Sequence, residues 1–525
     1  MKKDTSHTIK RAERFQVILI GEGLLVGAVA GLIVLLYRIL LGQAGIWLNM
    51  ILKFIKGSPI KIAGWFGILV LLAFVVAKLV DWEPMISGSG IPQLEGEMSG
   101  KMKQNCLRVL PAKFMGGFLS LLGGLALGRE GPSIQLGAMA GKGISKALDR
   151  GKTEEKFLLT CGASAGLSAA FHAPLAGVMF SLEEVHKNFS VSVLISVMTA
   201  SLTADYISSN FLGMESVFQF DIGNVLPPSY YWLIVILGVI LGILGAFYNW
   251  FTLFVQSLYK KLAGIGTFGK LLIPFMTAGV LGLVMPQVLG SGHNLVEAIT
   301  SHEYVLGMVV LILAVRFIFS AVSFGSGAPG GIFFPLLVLG AFIGGVFGMV
   351  GVQFFGLDPD YINNFILLAM AGYFTAIVRA PLTGIILIFE MTGSVSQMLS
   401  LSVISIVAYI VATLMKSKPI YESLLERLLE KNGMPAGEER GEKILDRFSV
   451  MFGSPAANKA IQDVQWPENC LLVAIQRNGE EIIPKGKTVL QPSDVIITMT
   501  DERDSGTVYE KMEKICKEHP EHLVL

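Results

Sequence analysis

Glu130 stands in LALGREGPSIQLGA (125–138), a largely apolar stretch in which Arg129 and Glu130 sit between Gly128 and Gly131-Pro132. A carboxylate is costly to remove from water, so in such surroundings it needs a partner or a task. Adjacent residues at a helical start point apart, so Arg129 is not expected to neutralise it. The neighbouring residues indicate the task. Gly-x-x-x-Pro at the head of an apolar run ends one helix and begins another, and it occurs as GSGIP (88–92), GREGP (128–132) and GIFFP (331–335). Each break frees backbone N–H groups, which survive at membrane depth only where they line a cavity or are buried in protein. Helix N-termini carry partial positive charge, so a cavity built from three of them favours an anion, and Ser89 adds a hydroxyl donor. Dipoles without a full cation hold a small anion loosely enough to release it. An ionised Glu130 would occupy the anion's place and block it; a protonated one would lose that attraction and swing away. Such a residue is at once a gate and a proton carrier. Close helix packing by Gly and Pro, the competing account, fits one such motif better than three.

A second acidic pair, Glu183-Glu184, lies in APLAGVMFSLEEVHKNF (173–189), where spacing puts it at a helix end on the aqueous boundary. His172 and His186 are close by, and His172 is expected to be packed or hydrogen-bonded rather than to carry protons. No nucleophile–base pair or metal cluster stands out, so an enzyme is not expected. Cys106, Cys161, Cys470 and Cys516 include no CxxC pair, so neither a disulfide nor zinc is expected.

The elements that must hold these residues are membrane helices. The chain of 525 residues is 53% hydrophobic and 15% charged, with mean hydropathy +0.63, whereas a soluble protein carries roughly 25% charged residues. Runs long enough to span include 16–41, 61–80, 232–254, 305–320 and onward, and 398–414, about ten in all at about 20 residues per crossing. The first run is too long for a signal peptide and follows a basic leader, which places the N-terminus (1–14) in the cytoplasm. A net charge of +1 argues against a nucleic-acid partner.

The membrane part also repeats itself. GSG recurs after 202 residues (Gly88, Gly290), GREGPSIQLGA parallels GIFFPLLVLGA after 203, and Pro174 and Glu183 parallel Pro381 and Glu390 after 207. Three matches in one order at near-equal offsets indicate two homologous halves, about 15–215 and 228–425. Paired halves with Gly/Pro-interrupted segments point to a transport site at their interface.

Hydrophobicity ends near Met415; 416–430 reads as an amphipathic helix, and 431–443 as a polar linker. From 444 to 525 a small α+β domain is expected. CLLVAIQ (470–476) and EEIIP (480–484) form a hairpin around Arg477-Asn478-Gly479, Pro492-Ser493-Asp494 makes a turn before VIITMT, and 505–518 is helical.

GSGIP, GREGP, GIFFP and IVRAPLTGIILIFEMT resemble the signature motifs of the CLC family of chloride channels and chloride/proton antiporters, over about 15–430. The resemblance implies an all-α polytopic membrane protein with two inverted repeats of tilted, often half-spanning helices, one pore per subunit, and a homodimer. It implies that Ser89 and Tyr421 (KPIYESLL) coordinate the central chloride and that Glu130 is the external gate. Backbone amides around Gly131, Ile332 and Phe333 would line the pathway, and Lys113 (PAKFMGG) would be a buried cation or else snorkel to the interface. Glu184 matches the internal proton relay of antiporters, a position where channels of the family are apolar, and Glu183 fits a structural acid. Ser89 favours chloride over nitrate, whose carriers have proline there, and Tyr421 sets the chain apart from the fluoride exporters. The C-terminal segment 453–499 resembles a TrkA-C (RCK-C) domain. This implies a bacterial plasma-membrane protein whose cytosolic tails pair and can bind cyclic di-AMP or another adenine nucleotide. The reading is a chloride/proton exchanger with no required cofactor, its partners being chloride, protons and the lipid bilayer. A passive chloride channel and a membrane sensor are the alternatives.

Overall fold

The structure, a computed structural model, describes residues 2–187, 189–214, 217–218, 225–301, 303–393, 395–433, 443–477, 480–501 and 504–517, excepting the side chains of 2–16, 192, 263 and 395. The chain divides into two compact units, Met1–Lys431 and Asn432–Leu525.

Among its described residues, the regular elements of the first unit are all helices. Among these, seven helices are long and apolar enough to cross a membrane, fewer than the ten expected from apolar runs. The helices that carry the motifs start at Gly/Pro breaks and are shorter or more polar: Ile91–Met98, Glu130–Ala147, Pro174–Phe180 and Pro381–Thr392. One apolar run therefore does not equal one crossing. The first helix, Lys2–Ile55, continues well past the expected end because Ala44, Leu48, Leu52 and Ile55 prolong its buried stripe. Small residues let backbones meet: a Cβ on Gly162, in helix Lys152–Phe171, would come within 2.7 Å of the Gly137 carbonyl carbon in helix Glu130–Ala147. The amphipathic helix begins at Ile420 rather than 416, because Lys416 takes a left-handed φ of 54° and Pro419 immediately precedes the first turn.

The second unit is a four-stranded antiparallel sheet of order β1-β4-β2-β3, with β1 Lys443–Ser449, β2 Cys470–Arg477, β3 Glu480–Ile482 and β4 Val495–Asp501, followed by helix Ser505–Cys516. Phe448, Ile475, Ile496, Val508, Met512 and Cys516 form its core. Hairpin β2–β3 pairs Arg477 with Glu480; its turn residues Asn478 and Gly479 lie outside the described residues, as do 434–442 of the linker. Strand β1 extends to the edge of the segment read as linker, its alternation (Ile444, Asp446, Phe448) masked by flanking charge.

Candidate anion and proton pathway

The three breaks meet in space. Gly128 N–H donates to the Gly331 carbonyl (2.7 Å) and Gly331 N–H to that of Gly128 (2.8 Å), an isolated antiparallel bridge between equivalent residues of the two halves. Its sense is that of a two-fold axis passing between them. A Cβ on Gly131 would lie 2.8 Å from the Ser89 carbonyl oxygen and 2.9 Å from Ser89 Cβ, and one on Gly331 would lie 3.2 Å from Gly131 N. Any side chain there would push the motifs apart. Gly330 N–H donates to Gly88 O at 3.0 Å and Gly290 N–H to Gly124 O at 3.1 Å, so backbone hydrogen bonds knit the halves at this centre.

Glu130 opens helix Glu130–Ala147 and is fully buried. Its carboxyl folds back over Gly128, whose Cβ, if present, would meet Glu130 Oε2 and lie 3.1 Å from Phe334 N. Neither carboxyl oxygen has a hydrogen-bond partner among the described residues. Arg129 Nε comes to 3.6 Å of Glu130 Oε1, which corrects the expectation that the two point apart. Arg129 is the residue before the helix rather than in it, so its side chain can turn back; the contact is an ion pair too long for a hydrogen bond.

Ser89 is buried and its Oγ accepts from Ile91 N–H at 3.2 Å, which leaves the hydroxyl proton free to donate. Ile332 immediately precedes helix Phe333–Phe355. The Phe333 ring packs on Phe171 (5.5 Å), Phe180 (5.8 Å) and Phe374 (4.8 Å), and Phe180 meets Tyr421 edge-on at 6.5 Å. Tyr421 is fully buried with its hydroxyl unpartnered among the described residues, within the electrostatic reach of both Glu184 and Glu130. A buried, unmatched hydroxyl can serve a bound group, and Tyr421 shares this state with other buried hydroxyls such as Tyr37 and Tyr248.

Glu183 and Glu184 lie in a π-helical turn, Ser181–His186, that follows helix Pro174–Phe180. Glu183 is tied to backbone N–H groups of the second half, whereas Glu184 is almost fully buried with one oxygen unpartnered among the described residues. Its neighbour across the turn is Glu95, whose two carboxyl oxygens are also unpartnered; Lys187 and Glu422 complete the charged surroundings. Two carboxyl groups this close cannot both ionise freely, so each raises the cost of charging the other. His172 Nδ1 lies 2.8 Å from Asp205 Oδ1 and 2.9 Å from Ser209 Oγ, and His186 Nδ1 lies 3.0 Å from Thr160 Oγ1; both are hydrogen-bonded.

Lys113 does not snorkel. It is fully buried and donates to the carbonyls of Ile86 (2.9 Å) and Gly88 (2.6 Å), directly beneath Ser89. Three polar groups escaped the sequence reading: Glu95, the buried Glu97–Lys142 ion pair with Gln104 and Gln135, and Arg316. Arg316 was within reach, since it follows Lys113 by 203 residues, the offset of the halves. Glu95 was too, since Glu297 follows it by 202 residues, the offset of the two GSG motifs, whereas the Glu97–Lys142 pair carries no repeat signal.

Residues 68–413 match the family model described as voltage gated chloride channel, and 446–513 match the TrkA-C domain. Among solved structures, a slow cyanobacterial Cl−/H+ antiporter is 29% identical with a TM-score of 0.76, over 79% of this chain and 99% of that one. A CLC-type fluoride/proton antiporter (22% identical, TM-score 0.64, 77% and 97% covered) shares the fold. So does a eukaryotic CLC transporter (22%, 0.66, 78% and 74%).

Proposed function

The chain belongs to the voltage gated chloride channel (CLC) family and carries a TrkA-C domain, and on that premise we propose that it exchanges chloride for protons across the bacterial plasma membrane. Ser89 and Tyr421 hold the central chloride through their hydroxyl protons, and the backbone around Gly131, Ile332 and Phe333 supplies N–H dipoles. Glu130 is the outer gate. Ionised, its carboxylate competes with chloride for the same N–H groups; protonated, it leaves them to chloride and carries its proton inward. Glu184 relays that proton to the inner solution. The observation that carries this reading is the meeting of Glu130, Gly131, Ser89 and Gly331 at one hydrogen-bonded centre, with the Glu130 carboxyl buried and unmatched. The 29% identity to a Cl−/H+ antiporter over nearly all of that protein's length supports the choice of ions.

The protein functions as a homodimer with the N-terminus and tail in the cytoplasm, and the tail is a regulatory module for which cyclic di-AMP or another adenine nucleotide is the proposed ligand. A ligand there shifts transport only through different affinities for two conformations. The decisive experiment is flux in proteoliposomes. An imposed chloride gradient should drive protons uphill. Chloride movement without protons would make the protein a passive channel, and no movement of either would favour a sensor. Titration of full-length protein with cyclic di-AMP tests the tail: no heat and no change in flux would leave it a dimer support.

A further inference from the structure

Among the described residues Arg316 is the largest fully buried side chain, and none of them forms an ion pair with it. Its Nη1 donates to Val288 O (2.5 Å), and its Nη2 to Gly290 O (2.7 Å) and Ser291 O (2.5 Å). These are the counterparts, one repeat on, of the carbonyls that hold Lys113: Ile86 corresponds to Val288 and Gly88 to Gly290, each after 202 residues. Each half thus buries one basic side chain under its GSG loop. An amide side chain could donate to two carbonyls as well, and a neutral group would escape the cost of burying an unpaired charge. The chain nonetheless uses a basic side chain in both halves. Three carbonyl dipoles offset the guanidinium charge in part, and no carboxylate among the described residues completes the compensation, which leaves an attraction for an anion in the pathway.

The place it acts on can be traced. The loop wraps the guanidinium closely: a Cβ on Gly292 (φ +95°) would lie 3.0 Å from Arg316 Nη2. Helix His293–Thr300 starts there. The His293 ring stacks on Phe218 (5.2 Å, 18°) and packs on Phe334 (6.1 Å), whose N–H faces the folded-back Glu130 carboxyl. Lys113 supports the loop of Ser89, and Arg316 supports the loop whose helix abuts the Glu130 gate.

We infer that Arg316 is a positioning residue for chloride: it fixes the 290–292 loop beside the gate and supplies, by its charge, the attraction that sets how readily chloride occupies that part of the pathway. This rests on the chloride/proton reading above. The test is chloride-dependent flux of the reconstituted full-length dimer, with apparent KM and saturated turnover measured separately. Arg316→Gln is expected to raise the KM about tenfold, the scale of one lost charge-assisted contact, with turnover at saturating chloride and chloride/proton coupling retained. Arg316→Lys should restore the KM, because the first half performs the same task with a lysine on equivalent carbonyls. Should Arg316→Gln fail to fold, Arg316→His in a Glu130→Gln background gives the same answer, with KM rising as the imidazole loses its proton on going from acid to neutral pH. An unchanged KM in folded Arg316→Gln, a pH-independent KM in the His variant, or Arg316→Lys as impaired as Arg316→Gln overturns the charge role while leaving exchange itself intact. Absence of chloride flux in the wild type removes both readings together.

Discussion

Glu183 and Glu390 cap each other's helices. Glu183 Oε2 accepts from Thr383 N–H (2.9 Å) and Thr383 Oγ1 (2.8 Å), at the start of the helix that carries Glu390. Glu390 in turn accepts from Leu175 N–H (2.9 Å) and Ala176 N–H (2.7 Å), at the start of the helix that leads to Glu183. Both acids face the positive end of a helix that begins with proline, so each satisfies otherwise orphaned donors.

Loss of either cap should be felt in stability rather than transport. Glu183→Gln and Glu390→Gln are each expected to cost about 1 kcal/mol, an ordinary value for a helix cap, and to add when combined because they act on different helices. Thermal unfolding of the solubilised protein measures this. An unshifted Tm in both single variants would rule out the capping role.

Glu130→Gln keeps the shape of the gate but neither its charge nor its titration. Chloride flux should persist and proton coupling vanish. Proton pumping driven by a chloride gradient in this variant would refute the assignment.

Glu184→Val removes the inner carboxyl without touching Ser89 or Tyr421. Proton movement should cease while chloride still moves, with pH-electrode and chloride-electrode traces recorded on the same vesicles. Undiminished proton transport would return Glu184 to a structural role.

Ser89→Pro combined with Tyr421→Ala removes the two hydroxyl donors proposed to meet the anion. Each neutral donor is worth on the order of 1 kcal/mol, so chloride affinity by calorimetry should fall by about tenfold or more, with selectivity moving towards nitrate. Unchanged affinity would place the anion elsewhere.

In the tail, Asp494 is nearly inaccessible. Burial alone would raise its carboxyl, but the Arg477 fork (Nε 2.8 Å, Nη2 2.7 Å) and Gln491 N–H (2.7 Å) outweigh it and hold the group below the usual carboxylate range. A depressed folded value means that its stabilisation is fully present above the unfolded value of about 3.9 and fades as pH falls through the folded one. Hydrogen exchange of tail amides in the full-length protein, corrected for intrinsic rates, should show protection declining as the pH is lowered below about 4. Asp494→Asn should be less protected at neutral pH and lose that acid-dependent step. Equal pH profiles in the two proteins would show that the pair contributes nothing.

The sequence spoke clearly wherever chemistry required a rare residue pattern. Gly-x-x-x-Pro announces a helix break because only those residues permit it, so the location of Ser89, Gly131 and Ile332 at helix starts was legible. The triple offset near 203 announced two halves. The number of long helices was not legible, because a broken segment and a crossing share the same hydropathy. Contacts between Glu95 and Glu184, or Lys142 and Glu97, depend on how a turn from one segment meets a helix from another, and no local spacing encodes that. The Arg129–Glu130 contact is not legible from helical spacing, because Arg129 lies one step outside the helix.

The Gly128–Gly331 bridge also governs how the protein must be made. Its two glycines are separated by 203 residues of chain, which at 5–20 residues per second is about 10–40 s of synthesis. Throughout that interval the first half exists with Gly128 unpaired, the Pro174 helix uncapped by Glu390, and Glu130 without the wall formed by Phe334. A ribosome stalled after the first half would therefore leave in the bilayer an incomplete, polar-lined intermediate, a substrate for membrane quality control rather than a half-working carrier.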